Sequence, residues 1–93
     1  MVKSMPNDSS IALDLGSVVI DVDVMFNVSP LETAAYLLRH SRGDWGDIGI
    51  SECRKNDIAY IERDIICSEY DTFGGRVMIR TSADRTETIM VMK

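Results

Sequence analysis

Histidine, tryptophan, cysteine and proline are scarce in this chain: its 93 residues hold one His, one Trp, two Cys and two Pro. Cys53 and Cys67, with no Cys-x-x-Cys pair and a single imidazole beside them, cannot build a four-ligand zinc site or a disulfide framework, so reduced, buried thiols are expected. Bases are in deficit too, ten against fifteen acids, for a net charge of -5. A chain that must neutralise phosphates or sit on anionic lipid needs the opposite balance, so neither direct nucleic-acid binding nor a membrane surface is expected. No apolar run approaches the ~20 residues of a membrane span. The start of the chain, Met1 to Ser10, lacks the basic stretch and apolar core of a secretory signal, so a cytoplasmic protein is expected.

What is present supports one modest core. A hydrophobic content of 45% with 27% charged residues is that of a folded globule, and the length suits a single domain. Residues 1–10 are polar and aperiodic and read as a flexible N-terminal arm; residues 11–93 read as one α+β domain. Charge is uneven along the chain. Residues 1–38 hold five acids and one base, a net of -4, while the remainder is nearly balanced at -1. Solvated surface is the plainer reading of that bias, and a face for a basic partner the sharper one.

Ile11 to Ile20 is apolar and β-branched with Gly16-Ser17 in its middle, either a short hairpin or one strand at Gly16–Ile20, the strand being preferred. Asp21 to Val28 alternates like a strand, yet Val22, Met25 and Phe26 also sit at helical spacing. Ser29-Pro30-Leu31-Glu32 is a helix start: Ser29 accepts an amide of the first turn, Glu32 reaches back to the cap amide, and Pro30 sits where its missing N–H costs nothing. The helix runs to about His40 or Ser41, with Leu31, Ala34, Ala35, Leu37 and Leu38 as its apolar stripe, Arg39 and His40 favouring the dipole, and Gly43 as its stop. A second helix is expected from Ser51, as cap-type residue, to about Ile61.

Strands are expected over Ile65–Thr72, Arg76–Thr81 and Arg85–Met92, with turns at Phe73-Gly74-Gly75 and Ser82-Ala83-Asp84. Alternation puts Val77 and Ile79 on one face and Met78 and Arg80 on the other, and sets Ile89 and Val91 opposite Thr88 and Met90. The expected fold is a three- or four-stranded antiparallel sheet with two helices packed on one face, the strand at Gly16–Ile20 joining at an edge.

No reaction is written in the residues. His40 and Asp44 form a conceivable His–Asp pair at a helix end, but no Ser or Cys nucleophile is tied to them, and a C-terminal cap is the plainer role for His40. Asp21/Asp23 and Asp44/Asp47 lack the calcium-loop pattern, and Gly43, Gly46 and Gly49 lack the Lys and Ser/Thr of a phosphate loop. No metal and no cofactor is expected. Trp45 is expected to be buried between helices and sheet, its indole N–H on a loop carbonyl, with Asp44 held by backbone amides or by Arg85. Asp84 suits a tight turn, and Arg85 is expected to pair with Asp44, Asp47 or Asp57.

His40-x-x-Gly43-Asp44-Trp45-Gly46-Asp47, then Asn56-Asp57-x-Ala59, Ser68-x-Tyr70 and Thr81-x-Ala83-Asp84-Arg85-Thr86-x-Thr88 together resemble a family of small bacterial proteins found on plasmids and other mobile elements. Its members are labelled plasmid-related, and some are labelled type I restriction subunit M. The match spans roughly Leu15 to Val91. Where the family usually has an acid before Ala-Asp-Arg and a Trp in the preceding strand, this chain has Ser82 and Met78, and Asp21-Val22-Asp23 replaces a Thr-Pro-Gly-type turn. The resemblance implies a shared α+β fold and a mobile-element context, and no activity.

Three readings follow. The leading one is a small acidic, non-enzymatic mobile-element protein that binds another protein, such as a host defence complex that it inhibits. The alternative is a small enzyme or ligand-binding domain in which His40, Asp44, Asn56, Asp84 and Arg85 converge, with Trp45 beside them. The third is a homodimer that pairs through its sheet or through Met78, Met90 and Met92.

Overall fold

A computed structural model describes residues 11–93, so the expected arm at 1–10 lies outside the described residues. In chain order the elements are β1 (Ser17–Ile20), α1 (Val22–Asn27), α2 (Pro30–Ser41), α3 (Ile50–Glu62), β2 (Ile66–Thr72), β3 (Gly75–Thr81) and β4 (Glu87–Met92). The strands form one sheet in the order β1-β4-β3-β2. β2, β3 and β4 make the expected antiparallel meander, with Ser68 beside Ile79 and Ile79 beside Met90. β1 joins at the edge but runs parallel to β4, Val19 beside Ile89, which corrects the all-antiparallel expectation. Parallel neighbours need a long crossover, and the three helices and the meander between β1 and β4 supply one.

Alternation along the strands assigns the two faces. Ile66, Ser68, Tyr70, Val77, Ile79, Thr81, Thr88 and Met90 are buried on the inner face, against Val24 and Val28 at α1 and Tyr36 and Leu37 of α2. A second cluster, Leu13, Trp45, Ala59 and Ile66, fills the corner under α3. The expected pair of helices is therefore a trio, because Asp21–Val28 resolves its ambiguity as the short helix α1: Val24 and Val28, four apart, are the two positions it buries.

Ser29 caps α2 as expected, accepting the Glu32 amide at 3.1 Å, though Glu32 takes the Ser29 hydroxyl instead of the cap amide. α3 starts one residue early with Gly49 as its cap; the Ser51 hydroxyl turns to Glu52 and caps nothing. The phase of α2 differs from its expected stripe. Thr33, Tyr36, Leu37 and His40 face inward, and Leu31 and Leu38 are 82% and 52% exposed. β4 begins at Glu87, not Arg85, because Arg85 adopts a left-handed φ of 62° inside the turn.

Candidate functional site

β2 is an edge strand, and the motif residues close it. Its outward backbone groups belong to Cys67, Glu69 and Asp71. The Asn56 side-chain amide of α3 imitates a neighbouring peptide: Nδ2 donates to the Cys67 carbonyl at 2.7 Å and Oδ1 accepts the Cys67 amide at 3.4 Å. One step along, the Glu69 amide donates to the Trp45 carbonyl and the Glu69 carbonyl accepts the Asp47 amide at 2.7 Å. The Asp47 carboxylate then takes the Asp71 amide at 2.8 Å. Gly46 lies against this edge at φ 82°, where an added Cβ would sit 2.1 Å from the Glu69 carbonyl oxygen, so only glycine permits the approach.

The loop is fixed from its other side by Asp44. Its carboxylate is gripped twice by Arg39, at 2.7 and 3.2 Å, and accepts the Gly46 amide. Arg39 thereby holds the Asp44 carboxyl below the usual carboxylate range. The Asp44 carbonyl receives the Tyr70 hydroxyl at 2.6 Å, and the Arg39 guanidinium stacks over the Tyr70 ring. Arg39, not Arg85, is thus the partner of Asp44. Trp45 is buried as expected, edge-on to the His40 ring, but its indole N–H donates to the Asp57 carboxylate at 2.9 Å and not to a loop carbonyl.

His40 is fully buried, so it is no exposed helix cap. Its Nδ1 lies 2.5 Å from Ser68 Oγ and its Nε2 2.8 Å from Thr81 Oγ1. Thr81 Oγ1 is 2.7 Å from Thr88 Oγ1, and Thr88 donates to the Leu15 carbonyl at 2.7 Å. Because that carbonyl can only accept, the direction of the whole chain is set. Thr88 gives its proton to Leu15, Thr81 gives to Thr88, His40 Nε2–H gives to Thr81, and Ser68 gives to His40 Nδ1. The imidazole is neutral, and burial followed by the charge of Arg85 lowers its pKa to about 4.

Among the described residues, Arg85 pairs with no carboxylate. Its guanidinium donates to three carbonyls, Asp64 at 2.7 Å, Ser82 at 3.0 Å and Ala59 at 3.0 Å, tying the last turn of α3 and the loop after it to the turn before β4. Asp84 keeps its expected turn role, Oδ1 accepting the Thr86 amide, the Thr86 hydroxyl and the Ser82 hydroxyl.

The six candidate residues anchor different parts of the fold, His40 touching Trp45, and neither of the two grooves that border them gathers all six. Asn56 lines an open groove of about 430 Å³ along α3, Asp44 and Trp45 border a smaller one, and His40, Asp84 and Arg85 line neither. Cys53 and Cys67 are half-buried free thiols, not the buried ones expected, and burial raises the pKa of each. The three methionines do not make one face: Met90 is in the core, Met92 packs against it, and Met78 lies on the opposite side of the sheet. Arg39 was read only as a last-turn base of α2, and Asp47 and Asp57 only as possible partners of Arg85; their observed roles, binding Asp44, closing the β2 edge and holding the Trp45 indole, were not anticipated. Ser68, Thr81 and Thr88 stood in the resemblance without an assigned role; hydroxyls alternating with apolar residues on an inward strand face point to the buried polar partner they have in His40.

Among the described residues, no group of three or more His, Cys, Asp or Glu could hold a metal ion, and no helix is long and apolar enough to cross a membrane. No family model, no curated protein and no solved structure matches the chain.

Proposed function

We propose that this chain acts by binding another protein and performs no reaction of its own, as a cytoplasmic product of a mobile element whose partner is a basic surface of a host defence complex. One observation carries the protein-binding reading. α2 has two stripes at the same helical spacing: Thr33, Tyr36, Leu37 and His40 pack inward, while the wholly apolar Leu31, Ala34, Ala35 and Leu38 lie on the exposed side. A surface helix in a protein that works alone is polar on that side; an apolar stripe in solvent marks a contact surface. Met25 of α1 is exposed and lines a groove with Ala34 and Leu37 of α2, extending the apolar area there. The acidic first third of the chain supports a basic partner, and the resemblance supports the mobile-element setting.

The alternative, a small enzyme or ligand site on His40, Asp44, Asn56, Asp84 and Arg85, has less support, since the polar atoms of these residues are taken up by bonds within the fold. The test is affinity capture from host cells after chemical crosslinking, with the native chain and with a Leu31→Glu/Leu38→Glu double variant. The native chain is expected to capture one partner in constant proportion and the variant to lose it at unchanged folding stability. Absence of any partner, or equal capture by the variant, would overturn the reading.

A further inference from the structure

The two edges of the sheet are treated in opposite ways. On β2, the outward amides of Cys67, Glu69 and Asp71 are all matched, by Asn56, the Trp45 carbonyl and the Asp47 carboxylate. On β1, Ser17 and Asp21 donate their amides inward to Thr86 and Met90 of the β4 side, both at 2.9 Å, so alternation turns the backbone groups of Val18 and Ile20 outward. Among the described residues nothing bonds them, and Val18 is 41% exposed. Unguarded edges invite pairing with another chain, and proteins that do not use them cover them, as β2 here is covered.

Two further features define what could pair there. Ile20, at the end of β1, also lines an apolar groove of about 400 Å³ with Met25, Val28, Pro30, Ala34 and Leu37, between α1 and α2. A strand laid along β1 would present alternate side chains to that groove. Exposed acids flank both ends of the edge: Asp14 and Glu87 beside Ser17, and Asp21 and Asp23 after Ile20. None of the four forms an ion pair among the described residues, and residues 11–38 contain no Lys or Arg.

We infer that the edge of β1 receives an extended, basic segment of a partner protein, which adds as a fifth strand. Val18 and Ile20 supply the main-chain bonds, the α1–α2 groove takes an apolar side chain, and Asp14, Glu87, Asp21 and Asp23 meet Lys or Arg flanking that side chain. A second copy of this chain fits poorly, since it would bring the same four acids against themselves. The inference rests on the protein-binding reading and names its mode.

The experiment selects binders from a random twelve-residue peptide library on the full chain and maps them by amide NMR. Selected peptides are expected to alternate apolar residues between Lys or Arg flanks and to slow amide exchange at Val18 and Ile20. Val18→Pro removes an outward amide while leaving the ladder to β4 intact, and should weaken binding at least tenfold; Asp21→Asn/Asp23→Asn should weaken it and flatten its salt dependence. Binders without basic residues, no binders at all, equal binding to Val18→Pro, or concentration-dependent shifts at β1 without peptide, which would mark self-pairing, would each overturn the inference. The crosslinked capture separates the two ideas. A partner held equally by native chain and Val18→Pro removes this mode and leaves the protein-binding reading standing, whereas no partner for either removes the reading itself.

Discussion

The Asn56 side chain and the Cys67 backbone form a closed ring of two hydrogen bonds, Nδ2 to carbonyl at 2.7 Å and amide to Oδ1 at 3.4 Å, so a helix side chain stands in for the strand missing beyond β2. Asn56→Ala leaves both Cys67 groups to water and reopens the edge. It is expected to cost about 1–3 kcal/mol in urea unfolding and to raise the tendency to aggregate, read by light scattering. Unchanged stability and unchanged scattering would show that α3 docks without this ring.

His40 makes stability depend on pH in a defined window. Its imidazole titrates near 6.5 when exposed and at about 4 in the fold. Between those values the unfolded chain binds a proton that the folded chain refuses, so stability falls as pH drops from 6.5 toward 4, by about 3 kcal/mol in all, and is flat in this group above 7. Asp44 and Glu69, whose carboxyls are held low by Arg39 and by Lys93 and Arg76, add a loss that begins near their ordinary values of 3.8 and 4.5, at the acid end of this window, and continues below it. Unfolding curves from pH 7.5 to 4.5 read the slope. Nitrogen-15 shifts of the ring at pH 6 should show a protonated Nε2 and a bare Nδ1; an imidazolium there would refute the directed chain.

Arg85 carries two effects that substitution can separate. Arg85→Ala and Arg85→Gly both lose the three carbonyl bonds, a loss of about 2–3 kcal/mol. At φ 62° glycine is unstrained and alanine is not, so Gly should be the milder variant by ~1 kcal/mol. Equal costs would mean that the turn rearranges when the guanidinium goes.

Trp45→Ala removes a large core side chain and is expected to cost about 3–5 kcal/mol. Trp45→Phe keeps a ring against His40 but loses the bond to Asp57 and part of the buried ring volume, about 1–2 kcal/mol. Native emission should be that of a buried indole; a water-exposed spectrum would contradict the packing.

Local signals carried far in this chain. Ser29-Pro30-x-Glu32 placed the start of α2 because a cap and its proline act within one turn, and the strand limits of β2 and β3 fell within a residue of expectation because Gly74-Gly75 must turn. The inward face of α2 was misread because two stripes compete on one helix, and hydropathy cannot tell a stripe that meets a sheet from one that meets solvent. Each candidate residue makes specific bonds or contacts within the fold, but several of the partners differ from those expected. Arg85 was assigned a carboxylate by charge, whereas burial beside the end of α3 offered it unpaired carbonyls first.

By itself, then, the sequence determined the α+β class, the turns, the meander and the acidic excess of the first third, since all of these depend on neighbours in the chain or on simple counting. Only the tertiary structure decided that β1 lies parallel to β4, that His40 is a neutral link in a buried hydroxyl chain, and that, among the described residues, one sheet edge is sealed while the other has no partner. Each of these depends on groups dozens of residues apart meeting in space, where the competition for hydrogen-bond partners is settled by geometry and burial and not by local propensity.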